Sequence, residues 1–163
     1  MSAVLQHLLI RLDDLSDPRI EAFMQEHLVD MRAVSPPESV HALAMDQLRQ
    51  PDIAFWSAWL QDAGDNDVLV GTGALKRLDA GHAELKSMRT STHHRGQGIA
   101  RQVLNHLLHE ARARGFDRVS LETGTQPFFE PARKLYLQHG FVECGPFADY
   151  GPDPYSFFMT RTL

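Results

Sequence analysis

A change of period inside residues 84–115 constrains this chain more than any other feature. The stretch reads ELKSMRTSTHHRGQGIARQVLNHLLHEARARG. Leu85, Ser87 and Arg89 alternate with Lys86, Met88 and Thr90, the two-residue period of an extended strand. From Ile99 the apolar residues Ile99, Ala100, Val103, Leu104, Leu107, Leu108 and Ala111 recur at steps of three and four, which gathers them on one face of a helix. Arg101, Asn105, His109 and Arg112 take the opposite face. Arg112 and Arg114 bring positive charge to the negative end of that helix, and Gly115 supplies the residue best able to turn left-handed after it.

Between strand and helix stand Arg95, Gly96, Gln97, Gly98, Ile99 and Ala100. The two glycines lack the Cβ atoms that would hold a ligand off the backbone. The first turn of the helix carries unpaired N–H groups and a partial positive charge, to which Arg95 adds a full one, so the segment has the makings of a pyrophosphate cradle. Rossmann and P-loop proteins use the same physics, and both are tested by spelling. Gly96 and Gly98 are followed by Ala100 and Arg101 and not by the third glycine of G-x-G-x-x-G, and G-x-x-x-x-G-K-[ST] occurs nowhere.

The segment resembles motif A of the GCN5-related N-acetyltransferase (GNAT) superfamily, whose pattern [Q/R]-x-x-G-x-[G/A] is met by Arg95, Gly98 and Ala100. Downstream, ARKLYLQHGF at residues 132–141 is similar to the family's motif B, a short helix written A-x-x-L-Y-x-x-x-G-F. One departure stands out. Many members carry asparagine three residues before the motif B alanine, and this chain has Phe129 there, a ring suited to wall the acyl pocket.

The remainder of the sequence fits one folded unit. At 163 residues, with 43% hydrophobic and 23% charged residues, the chain can bury one sizeable core, and we expect a single domain over 1–163. No apolar run reaches membrane-spanning length and residues 1–12 lack a signal-peptide pattern, so no membrane association and a cytoplasmic location are the expectation. Cys144 is the sole cysteine, which leaves no internal disulfide, and its plain reading is a small buried residue. A net charge of −5 with no Lys/Arg tract argues against nucleic acid as a partner. Nine histidines form only the close groups His93/His94 and His106/His109, with no H-E-x-x-H, so no metal site is expected.

Patterning gives the rest of the order. A first strand is expected over 4–12, a helix from Asp17-Pro18 to Arg32, a break at 35–39, and a second helix over 39–49 with Val40, Leu43, Ala44 and Leu48 on one side. Strands follow over 53–60 and 68–78, joined by the turn-rich residues 62–67, then the strand at 84–90 after a second turn at 79–82. The strand at 118–122 follows a helix of crossover length and should lie parallel to 84–90, with the glycine loop at the carboxyl end of the pair. Pro131 starts another helix closed by Gly140, and strands over 141–147 and 156–163 flank a long loop rich in proline, acid and aromatic residues.

The resemblance implies an α/β fold: a mixed, mostly antiparallel sheet with a central splayed parallel strand pair and helices on both faces. It further implies acetyl-CoA as co-substrate, its pantetheine arm lying along Met88, Arg89 and Thr90, its pyrophosphate on the amides of Arg95, Gly96, Gln97, Gly98, Ile99 and Ala100, and Phe129 beside the acyl group. Tyr136 matches the motif B tyrosine that protonates the departing thiolate. An ammonium must lose a proton before it attacks, and Glu84, then Glu122, are the candidate bases, with water as the alternative relay. Phe128, Asp149, Tyr150 and Tyr155, together with the 35–39 loop, are expected to hold the acceptor. The activity implied is acyl transfer to a primary amine of a small metabolite by direct attack in a ternary complex. Two alternatives are a non-catalytic acyl-CoA-binding or sensing domain and a protein N-acetyltransferase. The family resemblance also admits a homodimer.

Overall fold

Residues 53–61, IAFWSAWLQ, carry large apolar side chains at odd and even positions alike, so the strand they form must be covered on both faces. The computed structural model, which describes residues 7–61 and 66–163, builds the molecule around it. Strands β1 (Leu8–Leu12), β2 (Ile53–Gln61), β3 (Asp67–Arg77), β4 (His82–Thr90), β5 (Arg118–Gly124), β6 (Val142–Cys144) and β7 (Ser156–Thr162) form one sheet in the order β1-β2-β3-β4-β5-β7-β6. Every neighbouring pair is antiparallel except β4 with β5, which is parallel. The expected residues 4–6 of the first strand and 62–65 of the turn lie outside the described residues.

Two helical layers cover the sheet. On one face α1 (Pro18–Val34) and α2 (Met45–Leu48) bury Ile20, Phe23, Met24, Met45 and Leu48 against Phe55 and Trp59 of β2. Helix α1 starts where Asp17 accepts a hydrogen bond from the Arg19 N–H at 2.9 Å and Pro18 fills the first position. On the other face α3 (Ile99–Ala113) and α4 (Glu130–Gln138) cover Trp56, Ala58, Leu85 and Leu121, with Val103, Leu104 and Leu107 of α3 almost wholly buried. Gly115, at φ 88°, ends α3 in the left-handed region as its position predicts. No helix of the described residues is long and apolar enough to cross a membrane.

Three expectations from patterning are corrected. The helix over 39–49 shrinks to a 3-10 turn at Pro37–Ser39 and the single turn α2, because Leu43, Met45 and Leu48 pack on the core while Val40 and His41 turn toward a cleft. The strand over 141–147 is only Val142–Cys144: Phe141 is buried in the core, and Pro146, which cannot donate to a ladder, follows the strand closely. The alternation of β4 is also broken. Thr72 pairs with Arg89 and Ala74 with Lys86, so Ser87 and Met88 together oppose Gly73 in a bulge, with Ser87 at φ 56° and its carbonyl accepting from the Thr72 hydroxyl at 2.8 Å. The bulge shifts the parity: Leu85 and Met88 face α3, whereas Glu84, Lys86 and Arg89 face the side of α1.

The parallel pairing of β4 and β5 ends at Leu85 opposite Leu121, although β4 continues to Thr90 and β5 to Gly124. Beyond that point the strands part. This gap, at the carboxyl end of both strands and at the amino end of α3, positions the site.

Candidate active site

The gap opens into a cleft of about 870 Å³ whose wall runs from the glycine loop to the loop after α1. At one end stand Arg95, Gly96, Gly98, Ile99 and Ala100. Gly96 and Gly98 have φ of 78° and 80°, and a Cβ at either would meet nothing within 4 Å, so backbone geometry and not crowding requires glycine there. Gly98 is the cap of α3, and among the described residues no side-chain cap occupies the free amides of its first turn. His94 Nδ1, on the same wall, is buried without a hydrogen-bond partner. These groups suit the phosphates of a nucleotide-bearing ligand. Gln97 is exposed and off the wall.

Along β4, Met88 and Thr90 line the cleft, and the bulge leaves the backbone at Met88 outside the ladder with β3 while β5 has already diverged. Arg89 is different. Its guanidinium is buried and committed to α1, 2.8 Å from Asp30 and 3.5 Å from Glu26, so it does not offer the cleft a free cation. Phe128 and Phe129 meet edge to face at 5.0 Å, and the Phe129 ring lies so close on Gly124 that a Cβ there would overlap it. Tyr136 reaches the cleft from α4 and packs edge-on against Phe141 at 5.7 Å. Burial pushes the Tyr136 phenol well above its ordinary range, so it holds its proton.

The two glutamates expected as bases sit in different places. Glu84 is 2% exposed, lies behind the wall and is already held on one oxygen: Lys86 Nζ donates to its Oε2 at 3.1 Å and the Tyr150 hydroxyl donates to the same oxygen at 2.5 Å. Glu122 is on the wall. Burial pushes its carboxyl up to about 7, with Ser156 and Lys86 pulling the other way and Glu84 and Asp153 adding to the rise. Ser156 Oγ itself is buried with no well-formed hydrogen bond. Because Leu121 points into the α3 side of the core, Glu122 emerges on the α1 side, and the cleft brings it and Tyr136 together from opposite faces of the sheet.

A roof covers this end. The Ser39 hydroxyl donates to Asp153 Oδ2 at 2.6 Å, and His41 meets the Tyr150 ring edge-on at 5.0 Å, tying the segment after α1 to the loop between β6 and β7. Tyr155 is on the wall; Asp149 is exposed and off it, and Tyr150 is occupied with Glu84 and Lys86.

A model of the acetyltransferase (GNAT) family matches residues 20–141, which run from the first turn of α1 to the end of α4 and include β2 to β5. The chain belongs to the acetyltransferase (GNAT) family. It is 54% identical over 154 residues to the uncharacterised N-acetyltransferase YsnE of Bacillus subtilis, covering 94% of this chain and 99% of that one. Among solved structures it is similar to a Klebsiella pneumoniae protein assigned as an acyl-CoA N-acyltransferase, with TM-score 0.77, 25% identity, and 96% and 98% of the two chains covered. An aminoglycoside 6'-N-acetyltransferase complexed with coenzyme A shares the fold at TM-score 0.64 and 19% identity, covering 94% and 96%. Within this GNAT framework, patterning alone missed Lys86 and His41 as part of the cleft wall. Lys86 had one readable signal: it stands two residues from Glu84, on the same strand face.

Proposed function

We propose that this GNAT-family protein transfers an acetyl group from acetyl-CoA to the primary amine of a small metabolite in a ternary complex, with Glu122 as base and Tyr136 as acid. The observation that carries the reading is Glu122: a carboxyl on the cleft wall whose proton affinity is tuned to about pH 7, facing the same space as a phenol that keeps its proton. The unfilled amides and open glycines at 96–100 support the coenzyme's phosphates at the other end. When bound, acetyl-CoA supplies a thioester carbonyl and a thiolate leaving group.

Glu122 takes the proton that the acceptor's ammonium must lose to free its lone pair. The amine nitrogen then bonds to the acyl carbon, the carbon–sulfur bond breaks, and Tyr136 gives its proton to the departing sulfur. The nitrogen sheds a second proton as the amide forms, which restores the phenol, and Glu122 releases its proton to solvent. The bulge at Ser87–Met88 offers a backbone N–H outside the ladders to steady the negative charge on the acyl oxygen. Glu84 does not fit the base role, since both of its charged-state partners already hold it behind the wall. The roof tied by Ser39 and Asp153 favours a small acceptor over a protein surface.

The test is thermal unfolding with acetyl-CoA, CoA, ATP and NAD in parallel, repeated on Gly98→Glu. A selective ligand at a hundredfold excess over its Kd stabilises by about 2.7 kcal/mol. The expected result is a rise confined to the two coenzyme A ligands and absent in the variant, followed by amine-dependent thiol release. A rise with ATP or NAD instead would remove the reading.

A further inference from the structure

Among the described residues, the Glu122 end of the cleft wall carries a cation, Lys86, that the chemistry above does not use. We infer that Lys86 binds the carboxylate of the acceptor while Glu122 receives its amine, and that the acceptor is therefore an α-amino acid with an apolar side chain. The inference rests on the reading of this cleft as an acetyltransferase site and names the substrate class within it.

The first support is a count of hydrogen bonds. The Lys86 ammonium has three N–H donors and two partners among the described residues, Glu84 Oε2 at 3.1 Å and the Tyr150 hydroxyl at 2.9 Å. One donor remains. Lys86 is 9% exposed by side chain, yet it is on the cleft wall, whereas Glu84 beneath it is not. A buried cation with an open donor at a cleft wall is a place for an anionic ligand group.

The second support is register. Leu85 pairs with Leu121, so the next residues, Lys86 and Glu122, stand side by side on neighbouring strands, at the first step where the strands part and on the same face of the sheet. Strands in a sheet run about 4.8 Å apart. A cation and a carboxylate offered at that separation match a ligand that carries ammonium and carboxylate on one carbon. Lys86 also draws Glu122 electrostatically, so the two groups share one field. Placing a carboxylate on Lys86 leaves the Glu84–Lys86 pair intact and sets the amine on Glu122.

The third support is the remaining wall. Phe128 and Tyr155 are 42% and 43% exposed, large rings that the core does not need, and with Met31 and Val40 they present apolar surface to the cleft. That surface suits the side chain of leucine, methionine or phenylalanine better than that of aspartate or lysine.

The experiment measures thiol release from acetyl-CoA with L-leucine, L-methionine and L-phenylalanine against the same molecules lacking the carboxylate, isopentylamine, 3-(methylthio)propylamine and 2-phenylethylamine. Binding of each to the enzyme saturated with CoA is measured by calorimetry. For wild type we expect kcat/KM and affinity at least tenfold higher for the amino acids. In Lys86→Gln this ratio falls to about one, in Lys86→Arg most of it returns, and the thermal rise with CoA persists in both. Wild-type preference for the decarboxylated amines, or an undiminished carboxylate preference in Lys86→Gln, overturns the inference. Should Lys86→Gln fail to fold, the wild-type ratio and Lys86→Arg decide. A normal coenzyme response with no carboxylate preference defeats this inference alone, while no coenzyme response defeats the proposed function and this inference with it.

Discussion

Glu84 and Glu122 stand on neighbouring strands in different surroundings. Both face the α1 side of the sheet, but Glu84 spends its charge on Lys86 and Tyr150 whereas Glu122 meets the cleft with burial as its dominant influence. For Glu122→Gln we expect kcat/KM to fall by roughly 10² to 10⁴, the range of a positioned proton acceptor. In the wild type, kcat/KM should rise with pH and level off above about 7, where the Glu122 carboxyl has ionised. The variant should lose that limb, and a profile unchanged in Glu122→Gln would assign the limb elsewhere. Tyr136→Phe keeps the ring that packs on Phe141 and removes the proton that burial retains. Its kcat should drop by about 10² with the melting temperature nearly unchanged; a loss confined to KM would mean that the hydroxyl only binds.

The elements divide the work between a local part and a long-range part. The cradle is local: a strand end, two glycines and a helix start follow one another in the chain, and Gly98 at φ 80° joins them. Gly98→Ala adds no clash, so its cost should be the backbone strain of a left-handed residue, roughly 1–2 kcal/mol by urea unfolding, with much of the coenzyme response kept. Gly98→Glu has the same strain and also sets a negative side chain at the cradle, and its coenzyme response should vanish. This contrast separates strain from occlusion. The local part was legible in the sequence because the period change, the glycines and the helix end are all contiguous. The tyrosine helix and the crossover between parallel strands were legible for the same reason. The long-range part was not. Which glutamate meets the cleft depends on where the pairing of β4 with β5 stops, and which residues after Lys86 line it depends on a bulge that flips parity at Ser87–Met88, and neither leaves a mark in the alternation of residues. Residues 39–49 misled because helical spacing of Val40, Leu43, Ala44 and Leu48 does not say that a cleft, and not the core, receives Val40.

Across the whole molecule, two buried groups pull the pH dependence of stability in opposite directions. Burial raises the Glu122 carboxyl from 4.5 to about 7, so the unfolded chain ionises first and stability falls as pH rises from about 4.5 to 7. Burial, reinforced by the Arg89 guanidinium, lowers the His27 imidazole from 6.5 to about 4. The unfolded chain therefore protonates first, and stability falls as pH drops from about 6.5 to 4. Each slope approaches about 1.4 kcal/mol per pH unit, and between 4.5 and 6.5 they offset. Urea midpoints of the wild type should thus stay nearly level across that window as far as these two groups decide it. Glu122→Gln should expose a stability that climbs with pH, and His27→Gln one that declines; parallel curves for the two variants would contradict the burial of one or both.

Strand β7 follows β6 in the chain but lies between β5 and β6 in the sheet. During synthesis, then, β6 leaves the ribosome before its one sheet neighbour exists, and β5 keeps an open edge until residues 156–162 are translated. Ser156, beside Glu122, and Tyr155, on the wall, belong to the same late segment, while the cradle at 95–100 has long been made. A nascent chain halted near residue 145 would hold the glycine-loop end of the cleft and lack Tyr150 and Asp153, the residues that tie the roof to Glu84 and Ser39. The roof of the cleft is the last part to be built.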